Sequence, residues 1–336
     1  MSVPAEPTVL TRQQGRIGRI TLNRPKALNA LDPGMLHAIA AALDAWRDDP
    51  RVHAVVVESG GGRAFCAGGD IRMVRDLALA GDHAGIEGFF SAEYALNLAI
   101  ARFPKPYVSL IDGVCMGGGI GLSVHGAVRV ATEAAVFAMP ETGIGFFPDV
   151  GASYVLPRLR PGCGMYMGLT GARLSGADAL WAGLATHYVS RETLAELADE
   201  IAEDGPAVLG SATLHTSDAI LPYAAQHLRA FEGDSVAAVA EGLEQDGSHW
   251  AGDALAALRA ASPLAVLASF RLIRSGAART LEACLQAELA LTRGMTRQPD
   301  FLEGVRAMVV DKDRTPRWSS SSLDAVHPAA VAALFQ

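Results

Sequence analysis

Between Gly15 and Glu58 the residue pattern changes period twice, and this limits the fold more than any other feature. Gly15–Asn23 (GRIGRITLN) reads as a strand. Met35, Leu36, Ile39, Ala42, Leu43 and Trp46 then recur at helical spacing. Asp32 followed by Pro33 predicts the start of that helix, with proline at its first position. Val52–Glu58 is rich in valine and reads as a second strand. Strand, helix and strand within sixty residues predict a crossover unit and a mainly parallel sheet.

The alternation continues with a helix over Glu87–Ala101 and a strand at Tyr107–Ile111, entered past Pro104 and Pro106. A short helix at Ile120–Gly126 and a strand at Val128–Ala131 follow. From about Gly164 helical spacing dominates. It marks Ser175–Trp181, Glu192–Ala202, Val236–Leu243, Leu255–Ala260, Pro263–Gly276, Leu281–Thr296 and Phe301–Val310. The expectation is an α/β core over residues 1–184 and a mainly helical C-terminal region over 185–336 that completes the fold. The serine run Ser319–Ser322, past Trp318, reads as a loosely held tail.

Half of the 336 residues are hydrophobic, enough for a sizeable core. The net charge of −8 argues against nucleic acid as the main partner, although a few local Arg or Lys residues suffice for a small anion. No apolar run reaches the roughly 18 residues of a membrane span. Met1–Gln14 has no apolar stretch of the secretory kind. Cys66, Cys115, Cys163 and Cys284 are far apart and form no CxxC pair, which predicts buried, reduced thiols in a cytoplasmic protein. No metal-ligand spacing is present.

Three segments have the composition of chemistry. Phe65-Cys66-Ala67-Gly68-Gly69-Asp70 follows a strand and precedes a helix-compatible stretch. Small residues there let a ligand approach the backbone, whose N–H groups can face a developing charge; the plainer alternative is a turn. Gly117-Gly118-Gly119 opens the helix at Ile120, where unpaired N–H groups meet the positive end of the helix dipole. The plainer alternative is close helix packing, and no phosphate-loop pattern is present. In Met139–Gly151 (MPETGIGFFPDVG), Glu141 and Asp149 stand among Phe, Ile and Pro, where poor solvation raises a carboxyl pKa. The plainer alternative has both as turn or helix caps.

In this order the three segments resemble the crotonase (enoyl-CoA hydratase/isomerase) superfamily over about Gly15–Leu184. The resemblance implies an α/β fold made of a spiral of ββα units with a helical C-terminal region. It implies an oxyanion hole from the N–H groups of Gly69 and Gly118. It places Ala67, Asp70, Ile71 and Arg72 along coenzyme A, with Lys26 toward the nucleotide end. Four stretches are closer to a thioesterase branch, the 3-hydroxyisobutyryl-CoA hydrolases of valine breakdown. They are FCAGGDIR (Phe65–Arg72), GLSVHG (Gly121–Gly126), MPETGIGFFPDVG (Met139–Gly151) and FLEGVRAMVVDKDRTPRW (Phe301–Trp318).

This branch implies Glu141 as nucleophile or general base and Asp149 as the group that orients water or holds the substrate hydroxyl. It also implies that Glu93 lines the substrate pocket, although a glutamate on the Glu87–Ala101 helix otherwise reads as solvated. His125 reads as a packed, hydrogen-bonded histidine. Hydratases of the superfamily carry a second glutamate just after the glycine triplet, where this chain has Gly121. Gly143 and Ala152-Ser153 stand where the hydrolase pattern has Ala and Gly-Gly.

The leading expectation is therefore hydrolysis of an acyl-CoA thioester with no cofactor, coenzyme A being part of the substrate. A hydratase/isomerase and a non-catalytic acyl-CoA binder are the alternatives. The superfamily resemblance allows a homo-oligomer, trimer or hexamer.

Overall fold

The computed structural model describes residues 6–211 and 218–336. The first five residues of the stretch Met1–Gln14, read above for a secretory pattern, lie outside the described residues. The chain divides into two compact units that interleave in sequence. One takes the described parts of Met1–Gly69, Ala95–Phe137 and Leu174–Ala219; the other takes Asp70–Tyr94, Ala138–Arg173 and Ile220–Gln336.

The first unit is built on strands β1 (Val9–Gln14), β2 (Ile17–Leu22), β3 (Ala54–Ser59), β4 (Ala64–Cys66), β5 (Tyr107–Ile111), β6 (Val114–Met116), β7 (Val128–Ala131), β8 (Val136–Ala138), β9 (Leu174–Ser175) and β10 (His187–Tyr188). One sheet has the order β1-β2-β3-β5-β7-β10, the other β4-β6-β8-β9. In the larger sheet only β1–β2 is antiparallel; the remaining pairs are parallel, as the strand–helix–strand order predicts. Parallel strands covered on both faces lose their alternation, so β5 is buried at every residue. Ile17, Val56, Val108, Leu110 and Val130 pack with Leu197 and Ile201 of the Arg191–Asp204 helix. The first helix spans Pro33–Arg47. Asp32 caps it by accepting the Met35 N–H at 2.8 Å, and all six predicted apolar positions are buried. β1 escapes sequence reading because four of its six residues are exposed.

The second unit is mostly helical. It contains Ile71–Leu79, the first turns of His83–Ala101, Cys163–Thr170, and the C-terminal run Val236–Asp246, His249–Ala260, Pro263–Gly276, Leu281–Met295 and Pro299–Val305. The expected helix at Phe301–Val310 instead passes into a π turn over Arg306–Val310. There the Arg306 guanidinium donates to Glu303, Asp311 and Asp313, closing the charged segment with ion pairs. The tail is held, contrary to the expectation of a loose one. The Trp318 Nε1–H donates to the Ala260 carbonyl at 2.9 Å and the Ser319 N–H to Asp300 at 2.7 Å. Arg271 stacks over Phe335 at 4.3 Å, beyond a short helix at Pro328–Ala333. All four cysteines are buried. No single helix among the described residues is long and apolar enough to cross a membrane.

Candidate active site

In the first unit the two glycine-rich segments lie side by side. Gly68 has φ +113°, and a Cβ built on it would stand 3.3 Å from the Met116 carbonyl oxygen and 3.5 Å from the Gly118 nitrogen. At Gly119 a Cβ would come to 2.2 Å of the Cys66 carbonyl oxygen, so only glycine lets these backbones approach. Gly118 is the first residue of the Gly118–Val124 helix, where an N–H has no intrahelical partner. The Leu31 N–H fixes the other segment by donating to the Gly68 carbonyl at 2.8 Å.

Asn29, which sequence reading passed over, organises this region. It is fully buried with φ 55°, a left-handed conformation asparagine tolerates better than most residues. Its Nδ2 donates toward the Ala64 and Phe65 carbonyls and Ser59 Oγ at 3.0–3.1 Å, and its Oδ1 accepts the Arg24 N–H at 2.8 Å. Asn29→Ala leaves those buried groups unpaired, so about 2–3 kcal/mol of stability is expected to be lost. Urea unfolding measures this, and an unchanged midpoint would contradict it.

The remaining expected coenzyme A contacts sit as follows. Lys26 is exposed in the Pro25–Ala27 turn, and Ala67 is half-buried with its N–H on the Leu28 carbonyl. In the second unit Asp70 caps the Ile71–Leu79 helix through the Met73 N–H at 3.3 Å. Half-buried Ile71 opens that helix, and exposed Arg72 donates to the Val309 carbonyl at 2.9 Å. His125 follows the last turn of the Gly118–Val124 helix, half-buried. That helix, including Gly121, carries no acid.

The second unit gathers the three expected carboxylates, all buried: Glu93 is 2% exposed, Asp149 5% and Glu141 7%. Glu141 opens a 3-10 turn (Glu141–Ile144) held from both ends. The Phe146 N–H returns to the Glu141 carbonyl, and the Ser262 N–H donates to the Thr142 carbonyl at 3.1 Å. Phe146 stacks on Phe147 and on Phe90 and tilts against Phe301, so the local environment is aromatic. The solvated-face reading of Glu93 therefore does not hold. Nor does the capping alternative for Asp149, because Gly151 precedes the Ala152–Val155 helical turn with no side-chain cap.

Burial raises the carboxyl pKa values. Glu141 is driven well up by desolvation first and by the charge of Asp149 next; Glu93 is driven up by the same two causes. Asp149 is pushed up to about 7 by burial, opposed by the hydrogen bond from Tyr94. Tyr94 Oη–H donates to Asp149 Oδ2 at 2.7 Å and lies 3.4 Å from Thr292 Oγ1. Among the described residues Glu93 Oε1 and Glu141 Oε2 have no hydrogen-bond partner. A buried acceptor without a partner costs free energy, and two of them belong to this one group of carboxyls.

Tyr94 and Glu288 also belong to the cluster and were not anticipated. Glu288 lies on Leu281–Met295, among the buried positions Cys284, Leu285, Leu291, Thr292 and Met295. A glutamate in the middle of an apolar helical stripe was the available signal.

The family model described as Enoyl-CoA hydratase/isomerase matches residues 17–335. A 3-hydroxyisobutyryl-CoA hydrolase, named mitochondrial, from Xenopus laevis is 44% identical over 330 residues, 94% of this chain and 86% of that protein. The human protein of the same name is 42% identical, covering 95% and 86%. A solved structure titled as an enoyl-CoA hydratase from Rhodobacter sphaeroides superposes with TM-score 0.92 at 40% identity, covering 98% of this chain and 97% of that one. One titled as a carnitinyl-CoA dehydratase from Mycobacterium thermoresistibile gives 0.93 at 38%, covering 98% and 96%. With its α/β fold and with matches along nearly its whole length, the chain belongs to the enoyl-CoA hydratase/isomerase family.

Proposed function

We propose that this chain hydrolyses an acyl-CoA thioester, with 3-hydroxyisobutyryl-CoA as substrate and 3-hydroxyisobutyrate and coenzyme A as products. The observation that carries this reading is the cluster of Glu93, Glu141 and Asp149, buried together with two bare oxygens. The Gly118–Val124 helix offers no second acid of the kind that hydration needs. The hydrolase relatives support the same chemistry.

In the proposed reaction a tetrahedral intermediate forms and its oxygen becomes negative. The N–H groups of Gly69 and Gly118 stabilise it, each worth on the order of 3 kcal/mol. Glu141 attacks the carbonyl carbon, giving a mixed anhydride that water then opens, or removes a proton from the attacking water. Asp149 orients that water or holds the 3-hydroxyl, and Glu93 lines the acyl side. The C–S bond breaks, the thiolate takes up a proton, and the oxygen from water ends in the carboxylate. Ala67, Asp70, Ile71, Arg72 and Lys26 serve the coenzyme A portion. No metal or separate cofactor enters this scheme. A cytoplasmic location is likewise part of the proposal, and subcellular fractionation tests it.

A hydroxyl-reading site rejects an analogue without the hydroxyl, because its own buried acceptors stay unpaired. Thiol release from 3-hydroxyisobutyryl-CoA is therefore expected to exceed that from isobutyryl-CoA by at least about 100-fold in kcat/KM. Equal rates would remove the 3-hydroxy assignment. The second reading, a hydratase/isomerase, is favoured by the titles of the two solved structures. It predicts loss of enoyl absorbance with crotonyl-CoA and no thiol release.

A further inference from the structure

The Asp149–Ala152 segment is a tight turn whose conformation needs outside support. The Ala152 N–H returns to the Asp149 carbonyl at 2.8 Å. Both central residues have positive φ, 56° at Val150 and 83° at Gly151, the signature of a type I′ turn. Glycine, asparagine or aspartate normally fill such positions, whereas a β-branched residue there is an outlier. Val150 is also 1% exposed, so it cannot relax toward solvent.

Glu288 supplies the support. One carboxylate oxygen accepts the Gly151 N–H at 2.7 Å. The other accepts the Ser153 N–H at 3.0 Å and the Ser153 hydroxyl at 2.5 Å. The side chain is 0% exposed, and burial pushes its pKa up to about 8, with those donors acting in the opposite direction. The same helix reaches Asp149 a second way, because Thr292 lies one turn on, beside the Tyr94 hydroxyl that donates to Asp149. Glu288 thus holds the turn that follows Asp149, and Tyr94 holds the Asp149 carboxylate. The Ser153 hydroxyl adds a further donor on Glu288.

We infer that Glu288 is a positioning residue for Asp149, acting through the 149–153 turn without touching the acyl-CoA. The inference deepens the hydrolase reading and rests on it for the role of Asp149. A buried carboxylate is suited to the task because it accepts from several backbone donors at once.

The test uses the full chain with 3-hydroxyisobutyryl-CoA. Glu288→Ala is expected to lower kcat about 100-fold, the usual scale of a misplaced catalytic group, with KM changed by less than about threefold. Glu288→Gln keeps one acceptor oxygen and is expected to recover about tenfold of that loss. Adding Asp149→Asn to Glu288→Ala should cost nothing beyond the worse single variant, because the two act as one unit. Multiplying losses, or an unchanged kcat, would overturn the inference.

Amide hydrogen exchange of Glu288→Gln decides the matter without activity. Gly151 and Ser153 should exchange faster while the Pro263–Gly276 helix keeps its protection. Unchanged exchange at both amides would also overturn it. If the unaltered protein released no thiol, the hydrolase reading would fail, and the exchange result would still settle the grip on the turn.

Discussion

Glu141→Gln is expected to abolish thiol release from 3-hydroxyisobutyryl-CoA, lowering kcat by at least about 10³-fold. The amide has nearly the shape of the carboxyl, so the buried 3-10 turn and its bonds to Phe146 and Ser262 should persist. The variant has neither a nucleophilic oxygen anion nor a base. That loss holds whether Glu141 attacks the carbonyl or deprotonates water, so the result tests the residue before the pathway. Substrate affinity should change little, because the proposed oxyanion donors and coenzyme A contacts lie on other residues. A variant that kept a tenth of the parent rate would show that Glu141 carries no bond-making step. Thermal melting beside the assay separates this from misfolding, since the variant should melt no lower than the parent.

The second large effect concerns stability. The folded protein raises the pKa of Asp149 to about 7 from an unfolded value near 3.8, chiefly by burial. A carboxyl whose folded pKa is raised binds its proton more tightly in the folded state. Its contribution is therefore most favourable below about pH 4. It declines as pH rises from about 4 to about 7, and above that a constant penalty remains. The full shift corresponds to roughly 4 kcal/mol, an upper figure because Glu93 and Glu141 share the same environment.

Asp149→Asn removes the titration and keeps an oxygen for the Tyr94 hydroxyl. It is expected to stabilise the protein by a few kcal/mol at pH 8 and by little at pH 4.5. Urea unfolding at both pH values measures the difference. An equal effect at both would contradict the raised pKa. Such a gain would mean that the cluster is held against its own stability, a common cost of function.

Much of the framework was legible because the sequence patterns are strong. β5 and β7 run over the residues that valine and tyrosine content indicates, and Pro263–Gly276 has both expected ends. The Asp32–Pro33 start held because a side-chain cap and a prefixed φ act locally. The three-residue strands β4, β6 and β8 were missed, being too short for any period to show. The interleaving of the two units leaves no mark in composition.

Legibility of the site followed a similar division. Glu141 and Asp149 stood out as carboxylates within an apolar loop. Their motif resemblance led to Glu93, whose helical spacing alone suggested a solvated face. Tyr94 looked like one more aromatic on an apolar helix, and its bond to Asp149 joins residues 55 apart. Glu288 is 137 residues from Gly151, and only the fold brings them together.

The most direct test of the central claim is to run the reaction in H2(18O) with 3-hydroxyisobutyryl-CoA and analyse the products by mass spectrometry. The account predicts free coenzyme A in equal amount to 3-hydroxyisobutyrate, with the label in the carboxylate and none in the hydroxyl. Label entering the acyl chain while the thioester stays intact would contradict it and make the protein a hydratase.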